Sequence, residues 1–315
     1  MQHLDTFFQI LKEPPQFEGS LTNDDKDSCK RLLQEFDDIE TEEIANVSYA
    51  YWFVNLKAKE RLSADAQFNS ALKEIRRHYV GESKNYKNTL KAIRETLQYR
   101  RKYRFDIIRS CCYDDNIYND EDAALAEKYR SFISDELERQ TMVVRGVDAN
   151  NRTIIYKPPR NSSVNNAYGA EAFILIQIYT AERAMATSEF TSKAEEERVT
   201  VVFNFRDYSR KNSPPTSSMM TLAKVIQRCY PERLGVLIIA DPPFWMRAVF
   251  NVVWPILSTA TTEKIRMPLG QKAINEEFSK VIKGDKKLKG LLLSGDISSV
   301  DVADYMKQPF YSQYE

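Results

Sequence analysis

The feature that most constrains the fold is a short apolar run that stands between prolines. Residues 234–239 read LGVLII, with Pro231 before them and the pair Pro242 and Pro243 after them. A run this short, between such breakers, is too brief for a typical helix. It therefore predicts a buried, central strand of a sheet.

The segment after this strand is unusually apolar. Residues 244–257 include Trp245, Phe250 and Trp254, and Arg247 is their only charged residue. An ordinary surface helix has a polar face, and this segment scarcely has one. It predicts a helix that is either buried in the core or closes an apolar cavity, with hinge boundaries at the preceding prolines and at Pro255.

The charge balance argues against a nucleic-acid partner. Lysine plus arginine and aspartate plus glutamate number 45 each, so the chain has no overall field that attracts a polyanion.

The cysteines have neither zinc-site spacing nor the pattern of a disulfide framework; they are Cys29, Cys111, Cys112 and Cys229. We therefore expect reduced thiols, no metal site and a cytoplasmic location.

The apolar segments predict a membrane visitor at most. The N-terminal stretch MQHLDTFFQILKEPPQFEG lacks the basic start and the uninterrupted apolar run of a secretory signal. The longest apolar segment has about 14 residues, whereas a spanning helix needs about 20. We therefore expect peripheral membrane association.

The chain divides into a helical part and a part in which strands alternate with helices. From about residue 24 to 140, apolar positions recur three and four residues apart, as at Leu72, Ile75 and Tyr79. We predict a helical region at 1–133, followed by a second domain at 134–284 and a tail at 285–315.

The second domain is predicted to contain a mainly parallel sheet. Strands separated by helices require crossover connections, and crossovers join parallel strands. We predict a first strand at 152–156, a second at 199–205 and a final one at 234–239, with helices at about 170–186 and from 213 onward.

Two basic clusters leave two interpretations open. One lies at 76–104, and the other at 280–289 beside the apolar residues 291–293. Each is either a solvated surface or a contact with phosphate groups or a membrane.

One group of motifs resembles a known family. The residues Tyr-Pro-Glu-Arg at 230–233, then Pro255, Thr261 and Lys264, resemble the strand entry and gate helix of the CRAL-TRIO lipid-binding family, especially its phosphatidylinositol-transfer members. The register holds without a gap from Glu232 to Lys264. The similarity covers about residues 70–285 and includes Arg152, whereas residues 1–69 carry no motif.

The resemblance implies an α/β fold and a non-catalytic function. The CRAL-TRIO fold has a mainly parallel sheet floor and a gate helix, preceded by a helical N-terminal domain that would begin at about residue 70. A phosphatidylinositol-transfer member of this family would bind phosphatidylinositol, with or without a second hydrophobic lipid, and exchange it at membranes. The bound phospholipid is then a ligand, and no cofactor is expected.

The resemblance also implies which residues form the site. Lys264 and Thr261 would hold the lipid phosphate by an ammonium and a hydroxyl, and Glu232 would accept hydrogen bonds from inositol hydroxyls or orient Lys264. The residues expected to form the gate and cavity are Phe244, Trp245, Val249, Phe250, Val253, Trp254, Leu257, Val199, Val201, Phe203 and Ile155.

Two positions depart from the family pattern. Glu82 stands where phosphoinositide-binding members use an arginine, and Arg76, Arg77 and Lys84 are the candidates to replace it. The positions that hold phosphatidylcholine in dual-ligand members are apolar here, and they are Val199, Val201, Ile155 and Ile226. Because these side chains cannot hydrogen-bond a phosphate, we expect the second ligand to be a less polar lipid or absent.

Two other classes of function compete with a lipid carrier. An enzyme is disfavoured because G-x-S-x-G, P-loop and H-E-x-x-H motifs are missing from the sequence, and Asp241 at a strand end is typical of a turn-capping residue. The alternative is a lipid-sensing adaptor, or a carrier of a retinoid, tocopherol or sterol. A lipid kinase or another protein is a candidate partner in either case.

Overall fold

Helices dominate the N-terminal part of the chain. The computed structural model describes residues 3–12, 21–112, 119–139, 141–159, 169–192, 197–209, 213–282, 285–295 and 300–312. Up to residue 139, the described residues form α1 Leu4–Lys12, α2 Asn23–Leu33, α3 Asp38–Ala45, α4 Tyr49–Ala58, α5 Ala64–Gly81, α6 Tyr86–Lys102, α7 Phe105–Ser110 and α8 Asp120–Glu138.

Most of these helices begin at a residue whose side chain can cap them. The capping oxygen accepts a hydrogen bond from the backbone N–H three residues later, which satisfies a donor that the helix itself leaves unpaired. These caps precede α2, α3, α4, α5, α6 and α8, and they are Thr22, Asp37, Ser48, Ser63, Asn85 and Asn119.

A five-stranded sheet follows, with its strands in sequential order. The strands are β1 Val143–Val147, β2 Thr153–Lys157, β3 Val199–Asn204, β4 Leu234–Ala240 and β5 Ile265–Arg266. β1 pairs antiparallel with β2, and the other three pairings are parallel. The predicted α/β fold with a mainly parallel sheet and a helical N-terminal region is therefore confirmed.

Two of the strands differ from the sequence prediction. β1 precedes the strand that was expected to be the first, and β5 follows the strand that was expected to be the last. β1 carries Arg145 and a glycine with positive φ, Gly146, and β5 has only two residues. Neither offers the apolar run by which a strand is recognised.

The connections between strands and the C-terminal segments complete the domain. α9 Gly169–Thr191 joins β2 to β3, and α10 Thr216–Cys229 joins β3 to β4. α11 Met246–Val253 and the short α12 Thr259–Thr262 lie between β4 and β5. The remaining helices in the described part of the chain are α13 Gly270–Val281, α14 Lys286–Ser294 and α15 Val302–Lys307.

The two faces of the sheet have different coverings. Alternate residues of a strand point to opposite faces. Ile154, Tyr156, Val202 and Ile238 belong to the main core, in which they are joined by residues of α13 and α14. The residues between them on each strand face α9, α10 and α11, and this second face lines a cavity.

The C-terminal segment is not a solvated tail, contrary to the sequence interpretation. Leu288, Leu292 and Tyr305 are buried, and Phe310 and Tyr311 pack among aromatic rings of the N-terminal helices. Leu288, Leu291 and Leu292 recur three and four residues apart, which is the spacing of a helix face, so the sequence carried a signal for the burial of α14.

The basic cluster at 76–104 is only in part a solvated face. Arg77 lies close to Glu74 and Glu197, and Arg100 bonds Glu182 at 3.2 Å. The side chains of both arginines are largely buried.

Among the described residues, no helix combines the length and the apolar character needed to cross a bilayer.

Candidate functional site

An apolar cavity of about 370 Å³ lies between the sheet and the helices that cover it. Its floor consists of alternate strand residues, and its walls come from α9, α10 and the segment after β4. Ligand pockets of this kind are commonly 300–1,000 Å³ and largely apolar. Of the residues predicted to form the gate and cavity, those that line it are Trp245, Val249, Phe250, Val253, Leu257, Val199, Val201, Phe203 and Ile155.

Two of the predicted residues lie outside the cavity. Phe244 is 81% exposed, and Trp254 is 38% exposed and meets the ring of Phe250 edge to face. Phe244 precedes the first turn of α11, so the helix does not turn its side chain inward.

The gate is shorter and less regular than the single helix predicted at 244–257. We call residues 245–257 the gate segment. α11 ends at Val253, and a 3-10 turn with Pro255 near its start covers 254–256. Proline lacks the N–H that an α-helix would need at this point, which explains the change of helix type.

Glu232 and Lys264 meet at one end of the cavity. Lys264 Nζ lies 3.5 Å from Glu232 Oε2, and about a quarter of each side chain is exposed. Both positions are fixed by the backbone, because Glu232 stands two residues before β4 and the Lys264 carbonyl accepts a hydrogen bond from Leu237 N at 3.0 Å. The pairing of β4 with β5 thus brings together residues that are distant in sequence.

Thr261 supplies a hydroxyl beside this ion pair. Ser258 caps α12 by accepting a hydrogen bond from Thr261 N at 3.2 Å, and the two hydroxyl oxygens lie 2.9 Å apart. Ser258, Thr261 and Lys264 all line the cavity. Ser258 was not predicted as a site residue, although its place before Thr261 is typical of a helix cap.

Comparisons with known proteins show which family this domain resembles. Residues 137–291 match the family model described as CRAL/TRIO domain. The chain contains a CRAL/TRIO domain. It is 23% identical over 185 residues to phosphatidylinositol transfer protein PDR17 of Saccharomyces cerevisiae, in an alignment that covers 57% of this chain and 47% of that protein.

The chain thus matches about half the length of this curated relative. The crystal structure of Sfh5 superimposes with a TM-score of 0.51 and 15% identity, and covers 92% of this chain and 96% of that chain. At this identity the similarity concerns the fold alone.

The CRAL/TRIO domain meets the N-terminal helices through buried charges behind the cavity. Arg233, 4% exposed, donates to Glu74 at 2.6 Å and to Glu197 at 3.1 Å. Tyr230 donates its hydroxyl to Glu182 at 2.7 Å. In the Tyr-Pro-Glu-Arg motif, Glu232 therefore faces the site, whereas Arg233 bonds Glu74 of α5 and Tyr230 bonds Glu182 within the domain.

Glu82, the residue that departs from the family pattern, is paired with a cation on the cavity wall. Arg228 bonds Glu82 Oε1 through Nη1, and its Nε lies 2.7 Å from Glu95 Oε2. Glu82 and Arg228 both line the cavity. Their pairing joins α10 to the end of α5 and could not be read from the sequence.

The expected replacements for the family arginine do not line the cavity of the CRAL/TRIO domain. Arg77 lies among buried carboxylates, and Lys84 Nζ is 2.9 Å from Asp25. Arg76 is likewise outside the cavity wall. Arg228 is instead the arginine that stands beside Glu82.

Sequence reasoning also missed two titratable residues of the cavity. His78 is buried, and burial lowers its pKa to about 4, so the imidazole is neutral near pH 7. Lys157 ends β2, and burial lowers its pKa to about 8. The signal for Lys157 was available, because it lies two residues after Ile155 and so shares its face of the sheet.

Asp241 serves the turn between β4 and the gate segment. Its backbone is left-handed, with φ 50°, and Oδ1 accepts a hydrogen bond from Gly270 N at 2.7 Å. The carboxylate thereby fixes the start of α13 relative to the end of β4.

Proposed function

We propose that this chain is a non-catalytic carrier that sequesters phosphatidylinositol and exchanges it between membranes. The observation that carries the proposal is the set of Glu232, Thr261 and Lys264 at one end of a mainly apolar cavity. An amphiphile with one polar group and long apolar chains matches such a site.

The apolar part of the cavity suits acyl chains. Transfer of each methylene out of water is worth about 0.8 kcal/mol, so a lipid with some thirty methylenes gains on the order of 20 kcal/mol when both chains are covered. The strand floor of Ile155, Val199, Val201 and Phe203 offers such a surface without any polar side chain.

The polar end suits a phosphate that carries a hydroxylated ring. The ammonium of Lys264 and the hydroxyl of Thr261 are donors, and a phosphate oxygen accepts best from charged donors. Glu232 is an acceptor and would bind ring hydroxyls. The Glu232 carboxylate lies 3.5 Å from the Lys264 ammonium, which holds Lys264 close to this place.

The name of the relative supports the choice of headgroup. PDR17 is a phosphatidylinositol transfer protein, and residues 137–291 of the present chain match the CRAL/TRIO domain model. The apolar residues at the phosphatidylcholine positions, Ile155, Val199, Val201 and Ile226, all line the cavity. They disfavour phosphatidylcholine as the second ligand.

The gate segment provides a route for exchange. It forms one wall of the cavity, and Val252 and Trp254 are 41% and 38% exposed on its outer side. On a bilayer these residues would meet lipid rather than water, which lowers the cost of moving the segment. The proposal includes a cytoplasmic location, peripheral membrane contact and, as a candidate partner, a lipid kinase that receives the lipid.

Vesicle exchange followed by mass spectrometry tests the proposal. The purified protein is incubated with vesicles that contain phosphatidylinositol, phosphatidylcholine, a sterol and an isoprenoid, then separated, and its lipids are extracted. We expect enrichment of phosphatidylinositol. Recovery of a sterol or an isoprenoid instead would assign the cavity to another class of ligand. Recovery of no lipid would favour the function of an adaptor.

Variants locate the headgroup within the same experiment. We expect Lys264→Ala to reduce phosphatidylinositol capture and transfer about ten- to a hundredfold, since a hydrogen bond to a charged group contributes about 1.5–3 kcal/mol. Lys30→Ala is the matched control, because Lys30 is exposed in α2 and pairs with Asp27 of the same helix. Equal transfer by the two variants would refute the headgroup assignment.

A further inference from the structure

The cavity has a second polar position at the end opposite to Glu232 and Lys264. Lys157 lies on the cavity wall at the carboxyl end of β2. Strand pairing aligns it with Phe203 and, through Phe203, with Ile239 of β4. Ile239 lies five residues after Leu234, a separation of about 17 Å at roughly 3.3 Å per residue.

Aromatic side chains surround the amine. Lys157 Nζ lies 4.6 Å from the ring centre of Tyr208 and 5.4 Å from that of Phe205. Tyr208 in turn stacks on Trp245 of the gate segment at 6.2 Å. The ring faces favour a cation at this place, so the ammonium is held at the edge of the apolar space.

A cation in such surroundings favours an anionic ligand group. Burial already disfavours the charged form, and it lowers the pKa of Lys157 to about 8. A carboxylate brought beside the ammonium would offset part of that cost by a charge-assisted hydrogen bond. The rest of a fatty acid would extend along the same apolar floor that suits phospholipid chains.

We propose that Lys157 binds the carboxylate of a long-chain fatty acid, which occupies the cavity as an alternative ligand to the phospholipid. The site rests on the cavity being a lipid site, as proposed above, and does not depend on which headgroup binds at the other end. Lys157 lies about 17 Å along the sheet from the start of β4, at roughly 3.3 Å per residue. The two polar positions are therefore at opposite ends of the cavity. One cavity would then exchange a phospholipid for a fatty acid anion.

The first experiment compares two probes that differ only in their polar end. Palmitate and 1-hexadecanol are titrated into the full-length wild type and into Lys157→Met, which keeps a long unbranched side chain. The readout is the ratio of the two affinities within each protein. We expect Lys157→Met to lower the preference for palmitate about ten- to a hundredfold, as for loss of a hydrogen bond to a charged group.

A control variant and the wild type itself keep the test independent of folding defects. Lys224→Met makes the same change on an exposed lysine of α10, and we expect it to retain the palmitate preference. In wild type, the carboxyl carbon of [1-13C]palmitate is followed by NMR against pH. We expect its titration midpoint to be about one to three pH units below that in Lys157→Met, since a cation within hydrogen-bonding distance favours the ionised form.

Titration of a neighbouring side chain does not interfere with the titration of the palmitate carboxyl group. Among the described residues at this end of the cavity, the neighbouring titratable group is Tyr208. Burial raises the pKa of Tyr208 to about 12, so the phenol stays neutral in the acid range. Binding of both probes without a change of preference in Lys157→Met would overturn the carboxylate site alone. If neither probe binds to wild type, the cavity is not a lipid site and the proposed function falls with it.

Discussion

Glu232 and Arg233 are neighbours in the chain, and their side chains serve different ends. Glu232 lines the cavity beside Lys264, whereas Arg233 reaches into the buried carboxylates Glu74 and Glu197. The backbone of Glu232 is left-handed, with φ 56°, and this turn separates the two directions. Substitution of Glu232 should therefore alter ligand binding, and substitution of Arg233 should alter stability.

At the same scale, the Thr261 hydroxyl offers a test of the headgroup site that leaves charge untouched. Thr261→Val keeps the shape of the side chain and removes its hydrogen-bonding group. We expect phosphatidylinositol affinity to fall about two- to tenfold, as for one neutral hydrogen bond of about 0.5–1.5 kcal/mol. Equilibrium binding to vesicles of stated phosphatidylinositol content measures the change.

The adjacent residue is a matched control for that substitution. Thr262 belongs to the same short helix, and its hydroxyl donates to the Thr259 carbonyl at 2.9 Å outside the cavity wall. Thr262→Val should leave phosphatidylinositol affinity within twofold of wild type. A similar loss in both variants would mean that α12 is disturbed and that the Thr261 hydroxyl has no direct part in binding.

At the scale of elements, one carboxylate holds three helices together. Glu182 of α9 bonds Arg100 of α6 at 3.2 Å, also bonds Arg109 of α7, and accepts the hydroxyl of Tyr230. Burial by itself would raise the pKa of Glu182, but the guanidinium groups of Arg109 and Arg100 hold it at about 2. The N-terminal helices and the CRAL/TRIO domain are therefore joined by a buried ion cluster.

This cluster predicts an acid dependence of stability. The folded pKa of Glu182 lies below its ordinary value of 4.5, so its contribution is complete above about pH 4.5 and is lost as the pH falls toward 2. At about 1.36 kcal/mol per pKa unit, the contribution is about 3 kcal/mol. Urea unfolding of wild type between pH 6 and pH 3 should show this loss.

Glu182→Gln should remove most of that dependence and lower stability at neutral pH. Two arginines would be left buried with no carboxylate between them, which typically costs about 3–5 kcal/mol. Glu43→Gln is the control, since the pair of Glu43 with Arg101 is exposed and such pairs contribute at most about 1 kcal/mol. Equal unfolding midpoints for the two variants would contradict the role given to the cluster.

The elements that the sequence predicted were those with long apolar runs. β2, β3 and β4 were foreseen because their runs are bounded by turn residues, whereas β5 has two residues and is defined by its pairing with β4. The gate segment was foreseen as an apolar helix with a boundary at Pro255, and the end of α11 at Val253 agrees with the missing N–H of that proline.

The sequence predicted those site residues whose spacing matches the family motif. Glu232, Thr261 and Lys264 are brought together as the resemblance implied, and their ligand remains a prediction. The pairing of Glu82 with Arg228 joins residues 146 positions apart, and only the packing of α10 against the end of α5 reveals it. The rings beside Lys157 likewise come from two other parts of the chain, the segment after β3 and the gate segment.

At the scale of the whole molecule, the two ends of the chain meet. The rings of Phe310 and Tyr49 stack with their centres 5.8 Å apart, and those of Tyr311 and Phe7 meet edge to face with their centres 5.0 Å apart. Farther along, the backbone N–H of Val144 in β1 donates to the Tyr305 hydroxyl at 3.0 Å. The C-terminal segment thus packs on both the N-terminal helices and the CRAL/TRIO domain, and it should unfold together with them.

Phe310→Ala tests this closure. Phe310 is 2% exposed, and removal of a buried phenylalanine ring typically costs about 3–5 kcal/mol through lost burial and the cavity left behind. The same change at Phe244, which is 81% exposed, should shift the free energy of unfolding by no more than about 0.5 kcal/mol.

Urea unfolding, followed by both tryptophan fluorescence and far-ultraviolet circular dichroism, measures the stability of each variant. Because Trp52 lies in α4 beside the closure and Trp245 and Trp254 lie in the gate segment, coincident transitions would mean that the C-terminal segment and the domain unfold as one unit. A Phe310→Ala protein as stable as Phe244→Ala would show instead that the C-terminal segment adds nothing to the folded core.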